Sequence, residues 1–225
     1  MNPHEHGYRP SKPDFSFLEK IYHLNGVMRF NGPENNQMSP HFTESVPEHT
    51  WVMGMMFLDM MAACPNLTSL TNVGDALAII QVHDIGETLM NGHDWTVGDQ
   101  MNGRVNHEVK FRTELTTLFN MLSNEHQALK NQMLTYYFRY TQCLYTLDLD
   151  ALLAKYCDGI QGNFTAGMFT RKRTQANNCI SRYVHNRKVI PAAQRIIACL
   201  TASENENAHE ATGEFISCHT QRLGA

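Results

Sequence analysis

Residues 73–87 read VGDALAIIQVHDIGE, an apolar segment with a histidine and an aspartate side by side near its end. Its apolar residues recur at helical spacing, which predicts a buried helix from about Val73 to Met90. An unpaired carboxylate is costly to bury, so a buried aspartate is normally paired or bound to a metal. His83-Asp84 is therefore a candidate site, although a hydrogen-bonded pair near a helix end is the plainer explanation of that dipeptide alone.

Two other predicted helices bring residues of the same kind. Ser45-Val46-Pro47-Glu48 is typical of a capping box with proline in the first turn, and it opens a largely apolar, central helix that reaches about Cys64. His49 lies just inside that first turn, and Asp158 lies in a later apolar helix that begins at about Leu147. Two imidazoles and two carboxylates from facing helices suit a divalent ion such as Mn, Co, Fe, Ni, Mg or Zn.

The rest of the chain is also predicted to be helical, since no segment shows a convincing alternation of apolar and polar residues. We expect an all-α, single-domain helical bundle over residues 14–201, with the metal site between its central helices. Residues 1–13, which are polar and proline-containing, are predicted to be an N-terminal arm, and residues 202–225 a loose C-terminal tail. Pro191 should kink or break the last predicted helix, at about 175–201.

Composition argues against several classes of protein. The 225 residues are 42% apolar, enough for one core, and the formal net charge of -4 argues against nucleic-acid binding through a basic field. The longest apolar run, 51–63, is interrupted by Gly54 and Asp59 and is too short for a membrane span. The N-terminus lacks a signal-peptide pattern, and the six cysteines form no C-x-x-C pair. We therefore expect free thiols and a cytoplasmic protein, in the host cytoplasm if its source is a phage.

The pattern His49, His83-Asp84 and Asp158 resembles that of the HD-domain phosphohydrolases. Neighbouring residues point to one branch, the bacterial 5′-deoxynucleotidases and the related phage dATP triphosphohydrolases. The stretches that carry this resemblance lie between about residues 15 and 165, and they are Arg29-Phe30-Asn31-Gly32, Glu44-Ser45-Val46-Pro47-Glu48-His49-Thr50, His83-Asp84-Ile85-Gly86-Glu87 and Lys155-Tyr156-Cys157-Asp158.

The resemblance implies a role for each matching residue. His49, His83, Asp84 and Asp158 would be the metal ligands, and the number of ions, one or more, is left open. Arg29 would bind phosphate, Phe30 would lie against the sugar and favour 2′-deoxy substrates, and Lys155 would contact phosphate or pair with a carboxylate. Glu87 would be catalytic, positioning water, protonating the leaving group or helping to hold a second metal.

The loop after Glu87 departs from the family pattern. The family usually has an acidic residue five positions after this glutamate, but position 92 is a glycine and the nearest acid is Asp94. An insertion of two residues would restore the match, so Asp94 is expected to be the second catalytic residue. His93 is the alternative for the same role.

The expected reaction breaks the bond between the sugar 5′-oxygen and the α-phosphorus of a 2′-deoxynucleotide. The stretch Arg-Phe-x-Gly resembles the phage members of the branch more closely, which implies a dNTP triphosphohydrolase, dATP-like, that releases deoxynucleoside and triphosphate. A 5′-deoxynucleotidase acting on dNMPs is the alternative. A catalytically inactive nucleotide-binding HD module is a hypothesis from another class. The small-molecule nucleotide is the expected partner, with no nucleic acid and no membrane, and self-association as a dimer or higher oligomer is left open.

Overall fold

Helices make up most of the chain in the computed structural model, which describes residues 16–29, 44–89, 103, 106–122, 126–168 and 177–223. The α-helices in these ranges are α1 (Ser16–Tyr22), α2 (Val46–Ala63), α3 (Pro65–Ser69), α4 (Val73–Val82), α5 (His107–Met121), α6 (Gln127–Thr146), α7 (Leu149–Met168), α8 (Asn177–Val184), α9 (Ile190–Thr201) and α10 (Ala208–Leu223). The predicted all-α fold is confirmed. Within the same ranges, no helix is both long and apolar enough to cross a membrane.

A short antiparallel ladder precedes α2. Strand β1 (Met28–Arg29) pairs with β2 (Glu44–Ser45), so that Arg29 lies opposite Glu44. The predicted capping box is present at the start of α2, because the Ser45 side chain accepts a hydrogen bond from the Glu48 backbone and the Glu48 side chain accepts one from Ser45 N. The ladder and the cap together fix the first turn of α2.

Helix α2 is less central than its apolar composition predicted. One face packs into the core through Met53, Phe57 and Met60, whereas Trp51 on the other face is 66% exposed. Helix α7 is the central helix instead, since it contacts α2, α4, α6, α8 and α9, and most of its residues are buried. Small residues such as Gly159 occur among its buried positions, and they allow neighbouring elements to approach it closely.

Helix α4 ends at Val82, earlier than the predicted end near Met90. His83 is its C-terminal cap, and the chain continues through Asp84 into a 3-10 turn, Ile85–Leu89. This tighter turn brings Gly86 against α5: a side chain at Gly86 would place its Cβ 2.7 Å from Glu114 Cβ. The absence of a side chain therefore allows α5 to pack directly beside the His83-Asp84 dipeptide.

The chain around Pro191 stays helical, and the predicted kink or break takes the form of a change in helix type just before the proline. A π-helical turn, His185–Val189, separates α8 from α9, and Pro191 lies in the first turn of α9, where its missing N–H costs least. This turn packs against α7.

The prediction of a loose C-terminal tail over residues 202–225 is wrong for most of that segment. Helix α10 covers Ala208–Leu223, and its residues Ala211 and Phe215 are fully buried. Glu214 explains the docking, because its Oε2 accepts hydrogen bonds from Asn66 N (3.0 Å) and Leu67 N (3.1 Å) at the start of α3. The predicted arm over residues 1–13 lies outside the described residues.

We predict that Glu214→Ala will destabilise the fold. The change removes a charged acceptor from the first turn of α3, which should cost about 2 kcal/mol of the free energy of unfolding and lower Tm by roughly 5 °C. Thermal unfolding followed by circular dichroism measures this, with Glu210→Ala on the exposed part of the same helix as the matched control. Equal Tm values for the two variants would contradict the capping role.

Candidate metal centre

The buried imidazoles of His49 and His83 lie close together, and the orientation of each ring is set by a hydrogen bond at Nδ1. His49 on α2 has its Nδ1 2.7 Å from Gln161 Oε1, an oxygen that also accepts from Arg29 NH1 at 2.9 Å. His83 has its Nδ1 2.7 Å from the carbonyl oxygen of Ile80. Both Nδ1 atoms face acceptors, so each carries the proton in the neutral ring, which leaves each buried Nε2 with a lone pair.

Two carboxylates lie next to these Nε2 atoms. Asp84 Oδ2 is 3.0 Å from His83 Nε2 and 3.7 Å from His49 Nε2, and Asp158 Oδ1 is 3.5 Å from His49 Nε2. Ligand atoms of His49, His83 and Asp158 all lie within 4.8 Å of one another. The predicted residues therefore converge from α2, the end of α4, and α7.

The two Nε2 atoms face acceptors, and neither has a hydrogen-bond partner in the described part of the chain. A lone pair 3.0 Å from a carboxylate oxygen is unfavourable unless a proton or a cation lies between them. Two neutral nitrogens and two carboxylates form a donor set that suits a divalent transition metal or Mg. The residues present thus fit a divalent cation.

The electrostatics agree with this donor set. Burial, with a further contribution from Arg29, lowers the pKa of His49 to about 4, so the ring is neutral near pH 7. Burial by itself would raise the pKa of Asp158, but Lys188 and His49 outweigh it and hold that pKa well below the usual range. Burial likewise opposes ionisation of Asp84, yet His83 outweighs it and keeps the pKa of Asp84 low. The carboxylates are therefore ionised.

The pKa of His83 is raised, whereas that of His49 is lowered. Burial lowers the pKa of His83, but the charge of Asp84 outweighs burial and the net direction is up. The carboxylates that favour a proton on His83 Nε2 also favour any other cation at that position.

Glu87 lies in the 3-10 turn beyond Asp84, and it is 1% exposed. Lys110 of α5 places its Nζ 2.9 Å from Glu87 Oε1 and 3.2 Å from Glu114 Oε1. Tyr137 OH donates to the other oxygen of Glu114 at 2.8 Å. Glu87 is therefore part of a buried polar network and is not a surface acid.

Arg29 is held in place from two sides. Its NH1 is 2.9 Å from Glu44 Oε2, its cross-strand partner, and 2.9 Å from Gln161 Oε1 on α7. These contacts place its positive charge close enough to affect His49. Phe30, Asp94 and the alternative His93 lie outside the described residues.

Lys155 lies one turn before Asp158 on α7. Its Nζ is 4.0 Å from the centre of the Tyr140 ring, and burial lowers its pKa. Tyr140 OH in turn donates to Asp158 Oδ2 at 2.8 Å. Lys155 is thus linked to Asp158 indirectly, by its contact with the Tyr140 ring.

The sequence reasoning missed three residues of the site: Gln161, Tyr140 and Lys188. Gln161 follows Asp158 by three positions, a spacing that places both on one helix face, so the helical period could have found it. Tyr140 comes from α6 and Lys188 from the π-helical turn, and only the packing of these elements on α7 reveals them.

We predict that Gln161→Leu will weaken metal binding about 10- to 100-fold, because His49 Nδ1 would lose the acceptor that fixes its tautomer. Mn²⁺ titration by calorimetry measures the affinity. Thr165→Val is the matched control, since it removes the hydroxyl that accepts from Gln161 Nε2 and keeps the Gln161 oxygen that faces His49 Nδ1. Unchanged Mn²⁺ affinity in Gln161→Leu would refute this positioning role.

Comparison with known proteins places these observations in a family. A solved structure of a predicted metal-dependent phosphohydrolase from Magnetospirillum magnetotacticum is similar in fold, with a TM-score of 0.52 and 17% identity over 93% of this chain and 94% of that one. No curated protein matches the chain. The family model described as HD domain matches residues 34–197, which is well over half of the chain. The chain therefore belongs to the HD domain family.

Proposed function

We propose that this protein is a metal-dependent phosphohydrolase that cleaves the bond between the 5′-oxygen and the α-phosphorus of 2′-deoxynucleotides. The observation that carries the proposal is the convergence of His49, His83 and Asp158, with Asp84 beside them, on one buried point. The structural neighbour is described as a predicted metal-dependent phosphohydrolase, which supports the reaction class. The deoxynucleotide specificity rests on the sequence resemblance.

His49, His83, Asp84 and Asp158 would hold the divalent ion, which when bound supplies Lewis-acid polarisation of a phosphate oxygen and activation of a water. The protein's own groups prepare that site before substrate arrives. Gln161 and the Ile80 carbonyl fix both imidazole tautomers, and Tyr140 holds one oxygen of Asp158. Such preorganisation avoids reorganisation during the reaction.

Glu87 is proposed to orient the attacking water. Its ion pair with Lys110 favours the ionised carboxylate, which can accept a hydrogen bond or a proton from water but cannot donate one. The proposal therefore gives Glu87 the accepting role rather than that of the acid that protonates the leaving oxygen. Asp94 keeps its proposed catalytic role as the candidate for that proton donor.

Arg29 is proposed to stabilise charge on the phosphoryl oxygens. Its anchoring by Glu44 and Gln161 fixes a guanidinium near His49, and a guanidinium suits phosphate through its fork of N–H donors. Phe30, the next residue, is proposed to contact the sugar. Lys155 is proposed to add positive charge from behind Tyr140.

A triphosphate is the proposed substrate, with the monophosphate as the alternative. Both substrates are cut at the same bond, so the released product distinguishes them: inorganic triphosphate from dATP, or inorganic phosphate from dAMP. We expect purified protein with Mn²⁺ or Co²⁺ to release triphosphate from dATP, as measured by ion chromatography. Release of phosphate from dAMP alone would assign the protein as a 5′-deoxynucleotidase.

We predict that Asp84→Ala will lose nearly all turnover, at least about 100-fold, while remaining folded, because it removes an anionic donor from the metal cluster. The measurement is hydrolysis of a panel of deoxy- and ribonucleotides with several metals, alongside the circular dichroism spectrum. Asp59→Ala, an exposed aspartate on α2, is the matched control and should retain wild-type rates. Retained activity in Asp84→Ala would refute the site assignment.

A further inference from the structure

The π-helical turn, His185–Val189, packs unusually closely on α7 beside Asp158. A Cβ on Gly159 would lie 3.0 Å from Val189 Cγ2 and 3.2 Å from both Lys188 Cβ and Val189 N. A side chain at position 159 would require the turn to move by a few tenths of an ångström, so glycine favours this approach. Single π-helical turns are rare and occur frequently at functional sites, which makes this one a candidate for a role beyond packing.

Because of this close approach, the Lys188 ammonium lies beside Asp158, one of the proposed metal ligands. Lys188 Nζ is 3.2 Å from Asp158 Oδ2, and its side chain is 27% exposed whereas that of Asp158 is 6% exposed. The Lys188 side chain is therefore partly open to solvent, whereas the carboxylate that it contacts is buried.

The two oxygens of Asp158 have different surroundings. Oδ1 faces His49 Nε2 at 3.5 Å, whereas Oδ2 accepts from Tyr140 OH at 2.8 Å and from Lys188 Nζ at 3.2 Å. The shorter of these two bonds comes from Tyr140, a buried residue of α6. Lys188 is thus a second donor to an oxygen that already has one.

We propose that Lys188 is a substrate-binding residue whose ammonium contacts a non-bridging phosphate oxygen. When Asp158 also binds a divalent cation, its carboxylate attracts the Lys188 ammonium less strongly than it does without the metal. A phosphate bound at the site would then attract the ammonium more strongly. Lysine suits this task as a compact point charge with three donors. The assignment rests on the proposed phosphohydrolase function for the identity of the ligand, but its position comes from the π-helical turn and Gly159.

The test measures phosphate and metal binding separately. Calorimetry gives the Kd of inorganic phosphate for Mn²⁺-loaded protein and the Kd of Mn²⁺ for metal-free protein, in wild type, Lys188→Met and Lys188→Arg. We expect Lys188→Met to weaken phosphate binding about tenfold or more and to leave the Mn²⁺ Kd within about twofold. Lys188→Arg should recover most of the phosphate affinity, because it keeps the charge.

Arg187→Met is the matched control, since it removes a neighbouring exposed cation from the same turn and should leave both constants unchanged. Unfolding temperatures verify that each variant is folded, and Lys188→Gln replaces Lys188→Met if the latter does not fold. Wild-type phosphate affinity in the neutral variant would overturn the proposal. So would a loss of Mn²⁺ affinity that accounts for the whole loss of phosphate, because Lys188 would then act only by holding Asp158.

Nucleotide hydrolysis is measured on the same proteins, which separates this proposal from the proposed function. If wild type hydrolyses no nucleotide, and Lys188→Met binds phosphate more weakly than wild type does, the phosphohydrolase assignment fails and Lys188 remains an anion-binding residue. If wild type hydrolyses dATP and Lys188→Met does so with unchanged KM and kcat, the Lys188 proposal fails and the function remains.

Discussion

Two imidazole lone pairs face two carboxylates in the interior of this protein, and that arrangement is stable only with positive charge between them. The Ile80 carbonyl and Gln161 place the proton of each neutral ring on Nδ1, so Nε2 of His83 and of His49 presents a lone pair to the acids unless a proton or a metal ion binds there. Burying such a set costs free energy that hydrophobic packing around α7 must offset. A divalent ion would turn this unfavourable cluster into a binding site, as the HD domain assignment leads one to expect.

Close packing at two glycines places Lys110 and Lys188 beside the acidic residues of this cluster. Gly86 allows α5 to approach the His83-Asp84 dipeptide, which brings Lys110 to Glu87, and Gly159 allows the π-helical turn to approach α7, which brings Lys188 to Asp158. Each glycine lies within two residues of a proposed metal ligand. A methyl group at Gly86 would displace the backbone of α5, and one at Gly159 would crowd the side chain and backbone of Val189.

The sequence could predict what depends on local patterns. Helical spacing identified the buried helices, the Ser45–Glu48 cap marked the start of α2, and the His-Asp dipeptide located the centre of the site. Contacts between distant elements could not be read in this way. The helix over Ala208–Leu223 has a mixed composition, and it is stable because Phe215 is buried and Glu214 caps α3, neither of which leaves a local signal. Tyr140 and Lys188 were not predicted as site residues, because their contacts with Asp158 also join elements that are distant in sequence.

The charges near the site suit the proposed polyphosphate substrate even though the formal net charge of the chain is -4. Three described cations there form ion pairs with different partners: Arg29 with Glu44, Lys110 with Glu87 and Glu114, and Lys188 with Asp158. Only the last of these partners is itself a proposed metal ligand. Metal binding would therefore weaken one ion pair selectively, and the affinity for phosphate should arise at the π-helical turn only when the metal is already in place.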